Sequence, residues 1–224
     1  MTSYKTVVDP ELGVIVKGNF NPAAVPINIP MEDPDRQKYI DYFLYKMDID
    51  EAFTFLQCIS ADKALQINKA LFIAGLNSAM KIFKKSNVRT GYKKIDKSDF
   101  LQRYPDSTED VVYFESLRDK HYIHDENGMI QPTAFLLLNP ENSSEQFGGF
   151  PSVVYNFVEL NYYAESQRLQ RLLCNLGNYI VQQIDILGEQ IAQRYENVDR
   201  KIIESYGRAK IKLASTQDVD KNRM

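Results

Sequence analysis

From Leu160 to Tyr206 the chain reads LNYYAESQRLQRLLCNLGNYIVQQIDILGEQIAQRYENVDRKIIESY, with Leu169, Leu173, Leu176, Ile180, Ile184, Leu187, Ile191, Tyr195, Val198 and Ile202 spaced by threes and fours. Apolar residues at that spacing line one face of a helix. At about 1.5 Å per residue an unbroken helix of this length would reach roughly 70 Å, about twice the width of a domain. It must therefore bend, project or pair with another chain. Gly177 and Gly188 are the places where it could break, since glycine weakens a helix interior.

Working outward, the same period returns upstream. Ile40, Phe43, Leu44 and Met47 follow the i, i+3, i+4, i+7 rule, which predicts a helix from Asp35 towards Ile59 with those residues inward. A second helix is expected from Ser60 or Asp62, either of which can cap it, with Leu65, Phe72, Leu76, Ala79, Met80 and Phe83 on one face and Gly75 at a close helix crossing. After Pro105, the run Asp106 to Asp110 supplies caps and first-turn acids for a helix through Val111, Phe114, Leu117, Arg118, His121 and His124, ending near Asn127 and Gly128. Ala134 to Leu138 and Val153 to Val158 read as two strands, so a β-hairpin inserted at about 129–158 is expected. Residues 1–30 read as an extended segment: Thr6 to Val8 and Val14 to Val16 flank a turn, and Pro22, Pro26 and Pro30 exclude helix. The expectation is a mainly α protein, with one helical domain over 31–214 and a disordered tail at 215–224.

Composition narrows the classes. The chain has 224 residues, 44% hydrophobic and 25% charged, which excludes a wholly disordered or collagen-like protein. Purely apolar runs such as Phe135 to Leu138 are far shorter than the ~20 residues of a membrane helix, and the opening MTSYKTVVDP lacks the order of a signal peptide. A cytoplasmic protein without membrane contact is expected. Twenty-seven basic and 30 acidic residues give a net charge of −3, so any nucleic-acid contact must be local. Its most positive stretch is the linker from Lys84 to Lys97, with Lys84, Lys85, Arg89, Lys93, Lys94 and Lys97 against Asp96. That stretch reads either as a solvated loop or as an edge that contacts phosphates. Cys58 and Cys174 are expected to be small buried hydrophobes, with no disulfide or zinc site.

Only two histidines occur, His121 and His124, and both fall within Leu117 to Asp125, LRDKHYIHD. On an α-helix at about 100° per residue, Phe114, Leu117, Arg118, His121, His124 and Asp125 share an arc of about 140°, while Ser116, Asp119, Lys120 and Ile123 point elsewhere. A polar group that continues an apolar stripe needs a buried network or a cleft. Three readings follow. One is structural, with an Arg118–Asp125 bridge over histidines that favour a helix C-terminus. A second is a metal site, for which two histidines at i, i+3 lack an HExxH partner or a third imidazole. The third is acid–base chemistry on a phosphodiester, in which an imidazole moves a proton near neutral pH and a guanidinium stabilises charge on phosphate. No metal or cofactor is expected.

Arg118, followed by a polar residue and by His124, matches the short R-polar-x(4–6)-H signature, and LRDKHYIHD resembles the LRNKHxAH variant of HEPN-domain proteins. The resemblance implies a HEPN-like helical bundle, often dimeric, and a metal-independent endoribonuclease of a phage-defence or toxin–antitoxin system. It also implies Arg118 and His124 as the catalytic pair, with Asp119 as the polar residue and His121 as an accessory. Lys84, Lys85, Arg89, Lys93 and Lys94 are the expected RNA contacts. One imidazole per chain can serve as base for the 2′-hydroxyl, but the leaving 5′-oxygen also needs an acid, so a homodimer with two-fold symmetry is expected to supply the second. The expected partners are a second copy of the chain, RNA and a regulatory protein. The alternative is a non-catalytic helical oligomerisation or interaction module with a buried Arg–His network. In that reading Tyr39, Tyr42, Phe43 and Tyr45 serve packing or assembly.

Overall fold

The computed structural model describes residues 5–9, 13–17, 27–84, 95–123, 130–142, 144, 147–148, 152–157 and 160–209. The chain is mainly helical. Its helices are α1 (Arg36–Gln57), α2 (Leu65–Lys81), α3 (Lys97–Arg103), α4 (Thr108–Ser116), α5 (Tyr162–Tyr195) and α6 (Arg200–Ser205). A 3-10 turn, Pro105–Ser107, leads into α4, and a π-helical turn, Leu117–Ile123, leaves it. Strands β1 (Lys5–Asp9) and β2 (Gly13–Lys17) pair antiparallel, as do β3 (Ile130–Phe135) and β4 (Ser152–Phe157). Among the described residues no helix is long and apolar enough to cross a membrane. The tail at 215–224 lies outside the described residues.

Two compact units emerge, one drawing on Met1–Tyr45, Lys85–Lys94 and Ile180–Met224, the other on Lys46–Lys84 and Ile95–Tyr179. In the first unit a carboxylate fastens the entry to α1. Asp33 accepts from Arg194 Nη1 at 2.5 Å, from the Tyr195 hydroxyl at 2.8 Å and from the Asp35 amide at 2.9 Å, while Arg194 Nη2 reaches Asp35 at 2.5 Å. The Asp33 side chain is 0% exposed, so these partners replace the water it has lost. Burial and the Asp33 contact push the Tyr195 phenol up to about 12. Beyond α6, Gly207 takes φ 78°, the left-handed cap that suits glycine, and Ile27 bridges to Arg208.

In the second unit the core is built on Phe72, Leu76, Met80, Phe100, Phe114, Leu169, Leu173 and Leu176, all fully buried or nearly so. Seven-residue α3 begins at Lys97, the last residue of the basic linker, and no helix is expected there from the sequence. It exists because Asp96 caps it, accepting from the Ser98 and Asp99 amides, and because its one buried residue, Phe100, packs against Tyr104, Tyr179 and Phe83. The second helix starts at Leu65 with neither Ser60 nor Asp62 as its cap. Instead, the Asn68 side chain reaches back, its amide donating to Ser60 O at 2.8 Å and its oxygen accepting from Ser60 N at 3.3 Å.

Four further expectations need correction. The inward face of α1 carries Tyr42, Tyr45, Ile49, Ala52 and Leu56, spaced 3, 4, 3, 4, whereas Ile40, Phe43 and Met47 are exposed. Burial is possible for the intervening Asp48 because Lys81 Nζ sits 2.6 Å from it, and Gln37 donates to Asp41 at 2.9 Å. The long helix does not break at either glycine. It runs 34 residues, roughly 51 Å, to Tyr195, and the break falls where Asp199 caps α6 by accepting from Lys201 N. Ile202, beyond that break, is exposed. Cys58 and Cys174 are both exposed free thiols. The first strand of the inserted hairpin is also earlier than expected. It ends at Phe135, leaving Leu136, Leu137 and Leu138 exposed, and admits Pro132 opposite Tyr155 because each strand of a two-stranded ladder is an edge.

Two glycines separate close approach from open space. A Cβ on Gly75 would lie 2.8 Å from Leu56 Cγ and Cδ2 and 3.3 Å from Ala52 O, so α1 and α2 touch there. A Cβ on Gly188 would meet Tyr39 only at 3.6 Å. Gly75→Ala should therefore destabilise by about 1–3 kcal/mol, because buried Leu56 cannot yield, while Gly188→Ala should stabilise by roughly 0.5–1 kcal/mol. Urea denaturation checks both; equal effects of the two substitutions would contradict the packing.

Candidate functional site

The site grows from the two ends of segment 85–94. Ile82 and Ile95 are buried, and the Ile95 amide donates to Ile82 O at 3.1 Å, which pins the two ends side by side. Lys84 and Lys97 follow on either flank. Both face the last turn of α4, where Glu115 accepts from Lys97 and lies 3.8 Å from Lys84 Nζ. Lys97 Nζ also stands 5.6 Å from the centroid of the Phe83 ring.

Fully buried Phe114 and nearly buried Leu117 fix where α4 passes into the π-helical turn. Such turns are rare and occur often at functional sites. Within it, Arg118 Nη1 lies 2.6 Å from Asp119 Oδ1, and Lys84 Nζ lies 2.5 Å from Asp119 Oδ2. The side chains of Arg118, Asp119 and Lys84 are 19%, 32% and 37% exposed, so solvent reaches the group. Arg118 Nε is buried and has no hydrogen-bond partner among the described residues. Burial alone would raise the Asp119 pKa; the hydrogen bonds from Lys84 and Arg118 outweigh it and hold the carboxyl below its ordinary range.

Beside the turn, α5 supplies the support. Arg168 Nε lies 2.6 Å from Asp110, its guanidinium stacks 4.3 Å from the Tyr113 ring centroid, Asn175 donates to Ser107 Oγ at 3.0 Å, and the Tyr179 hydroxyl lies 2.6 Å from Asp99. Burial and Glu165 push the Tyr113 phenol up to about 12. Burial, followed by Tyr162, pushes that of Tyr122 higher still. Neither phenol ionises near neutrality.

Of the residues singled out in the sequence, Arg118, Asp119 and Lys84 come together. His121 contributes its backbone to the π-helical turn, and its side chain lies outside the described residues. His124, Asp125, Lys85, Arg89, Lys93 and Lys94 also lie outside the described residues. The α-helical arc had turned Asp119 away from Arg118. The π-helical turn changes the angular spacing, and the sequence neighbours pair. Glu115 and Lys97 complete the cluster and were not singled out as site residues. Their signal was the position of Glu115 four residues before Asp119, with basic residues at both ends of the linker. Among the described residues the cluster sets three cations, Lys84, Lys97 and Arg118, against two carboxylates, Glu115 and Asp119. Among the described residues no group of three or more His, Cys, Asp and Glu side chains is placed to hold a metal ion. No protein-family model, curated protein or solved structure matches the chain.

Asp33 and Asp119 both have lowered carboxyl pKa values. For Asp33, burial alone would raise the value, but the hydrogen bonds from Arg194, Asp35 N and Tyr195 outweigh it. A carboxyl depressed on folding contributes stability that is complete above its unfolded value, about 3.9, and is lost as pH falls through the folded value. The urea midpoint should thus hold from about pH 6 to about pH 4 on this account and fall below it. Asp119→Asn should make the acid-side fall shallower; an unchanged slope would show that the ion pairs carry no stability.

Proposed function

We propose that the chain is a HEPN-type, metal-independent endoribonuclease, acting as a homodimer on RNA, in a phage-defence or toxin–antitoxin setting with a regulatory protein partner. The observation that carries this reading is the convergence of Arg118 and Lys84 on one solvent-reachable anion within a π-helical turn, at the head of the R-polar-x(4–6)-H spacing. A guanidinium so placed can stabilise charge that develops on a scissile phosphate. His124 supplies a group that exchanges a proton near neutral pH, as base for the 2′-hydroxyl and, from the second copy, as acid for the 5′-oxygen. The surplus of one cation among the described residues of the cluster supports a local contact with RNA despite the net charge of −3. The Arg118 fork, with Nε still unengaged among the described residues, supports phosphate as the bound group.

One observation favours the second reading, a non-catalytic helical interaction module. Arg118, Asp119, Lys84, Glu115 and Lys97 form a continuous chain of ion pairs, as a structural network would. The two readings part on chemistry. Purified protein should cleave single-stranded RNA in EDTA, and His124→Ala should abolish cleavage, a loss of about a hundredfold or more, without lowering the thermal midpoint. Absence of cleavage by the wild-type protein under any condition, or undiminished cleavage by the variant, leaves the module reading.

A further inference from the structure

We propose that Lys84 and Arg118 form a subsite for one phosphate of a single-stranded nucleic acid and that Asp119 is a built-in anion which occupies the subsite until the phosphate displaces it. The inference takes the identity of its anion from the proposed RNA-cleaving function. Its geometry stands independently.

The two cations come from different elements, Lys84 from beyond the end of α2 and Arg118 from the π-helical turn, and they close on different oxygens of one carboxylate, Oδ2 at 2.5 Å and Oδ1 at 2.6 Å. An ammonium and a guanidinium on separate oxygens of a single anion is how proteins hold a phosphate. Asp119 fills that place incompletely. It engages Arg118 through Nη1, and Arg118 Nε stays buried without a partner among the described residues. A buried donor left unpaired costs about 1–3 kcal/mol, and a phosphate, with more oxygens than a carboxylate, can take Nη1 and Nε together.

Displacement is also cheap on the side of Asp119. The carboxylate is 32% exposed, so water can take over its solvation as it leaves. Lys84 does not lose its place with it. Lys84 keeps Glu115 at 3.8 Å, and Glu115 is itself held by Lys97. When Asp119 leaves, the cluster changes from three cations and two carboxylates to three cations and one, so the positive potential rises where the phosphate arrives.

The experiment reads binding without chemistry. Full-length protein is titrated into fluorescein-labelled dT12, which has no 2′-hydroxyl to attack, and anisotropy is followed at fixed ionic strength. Asp119→Asn keeps the shape and removes the competing charge, so it should bind dT12 roughly threefold or more tighter than wild type. Lys84→Gln should bind several-fold more weakly, with the slope of log K against log salt reduced by about one. Equal or weaker binding by Asp119→Asn overturns the proposal, as does binding by Lys84→Gln that matches wild type; the latter stands as the test should Asp119→Asn fail to fold. RNA cleavage is measured in parallel. Tighter dT12 binding with no cleavage of any RNA sinks the nuclease reading and leaves the subsite, whereas cleavage without the Asp119→Asn gain sinks the subsite alone.

Discussion

The apolar stripe of α5 is the constraint on which the rest depends. From Tyr162 to Ile191 it buries Leu169, Leu172, Leu173, Leu176, Tyr179, Ile180 and Leu187, and among the described residues no other element offers a continuous surface of that length. Packing by apolar area is non-directional, so the stripe alone would not fix how its neighbours are turned. Three polar ties do so. Arg168, Asn175 and Tyr179 reach Asp110, Ser107 and Asp99, one on each of α4, the 3-10 turn and α3. They lie within three turns of α5 and set the orientation of α4. The π-helical turn that follows α4 inherits its position from them.

Two of the carboxylates held by cations, Asp33 and Asp119, differ in consequence. Asp33 is sealed, its side chain 0% exposed, and Arg194, Tyr195 and the Asp35 amide satisfy it in place of water. Removing one partner there would leave a buried charge uncompensated, so that site is a fastening. Asp119 has cations as close but remains 32% exposed. Water can replace its partners, so an ion pair of the same chemistry can exchange its anion. Exposure, more than pair distance, separates the structural clasp from the proposed functional one.

Much of this was legible in the sequence. The spacing of Leu169 through Ile191 identified α5, and Gly75 marked the α1–α2 crossing. Periodicity counted only aliphatic and phenyl side chains as inward on α1. It therefore missed a face in which Tyr42, Tyr45 and the paired Asp48 are buried. Gly177 and Gly188 are possible break points on local propensity, whereas the helix runs through both, and the break falls where a capping aspartate, Asp199, is available. The α3 helix has one buried apolar residue, Phe100, too few for a period to register. Arg118 and Asp119 pair within a π-helical turn, whereas a reading at about 100° per residue pointed them apart.

In the proposed function His124 performs the acid–base chemistry on RNA, while Arg118 and Lys84 hold the phosphate. Attack by a 2′-hydroxyl on the adjacent phosphorus, with the 5′-oxygen leaving, fixes the product ends. The most direct measurement is end-group analysis of RNA incubated with the protein in EDTA. The account predicts fragments that end in a 2′,3′-cyclic phosphate and begin with a 5′-hydroxyl. Fragments with 5′-phosphate ends that appear only when a divalent metal is added, or no fragments at all, would contradict it.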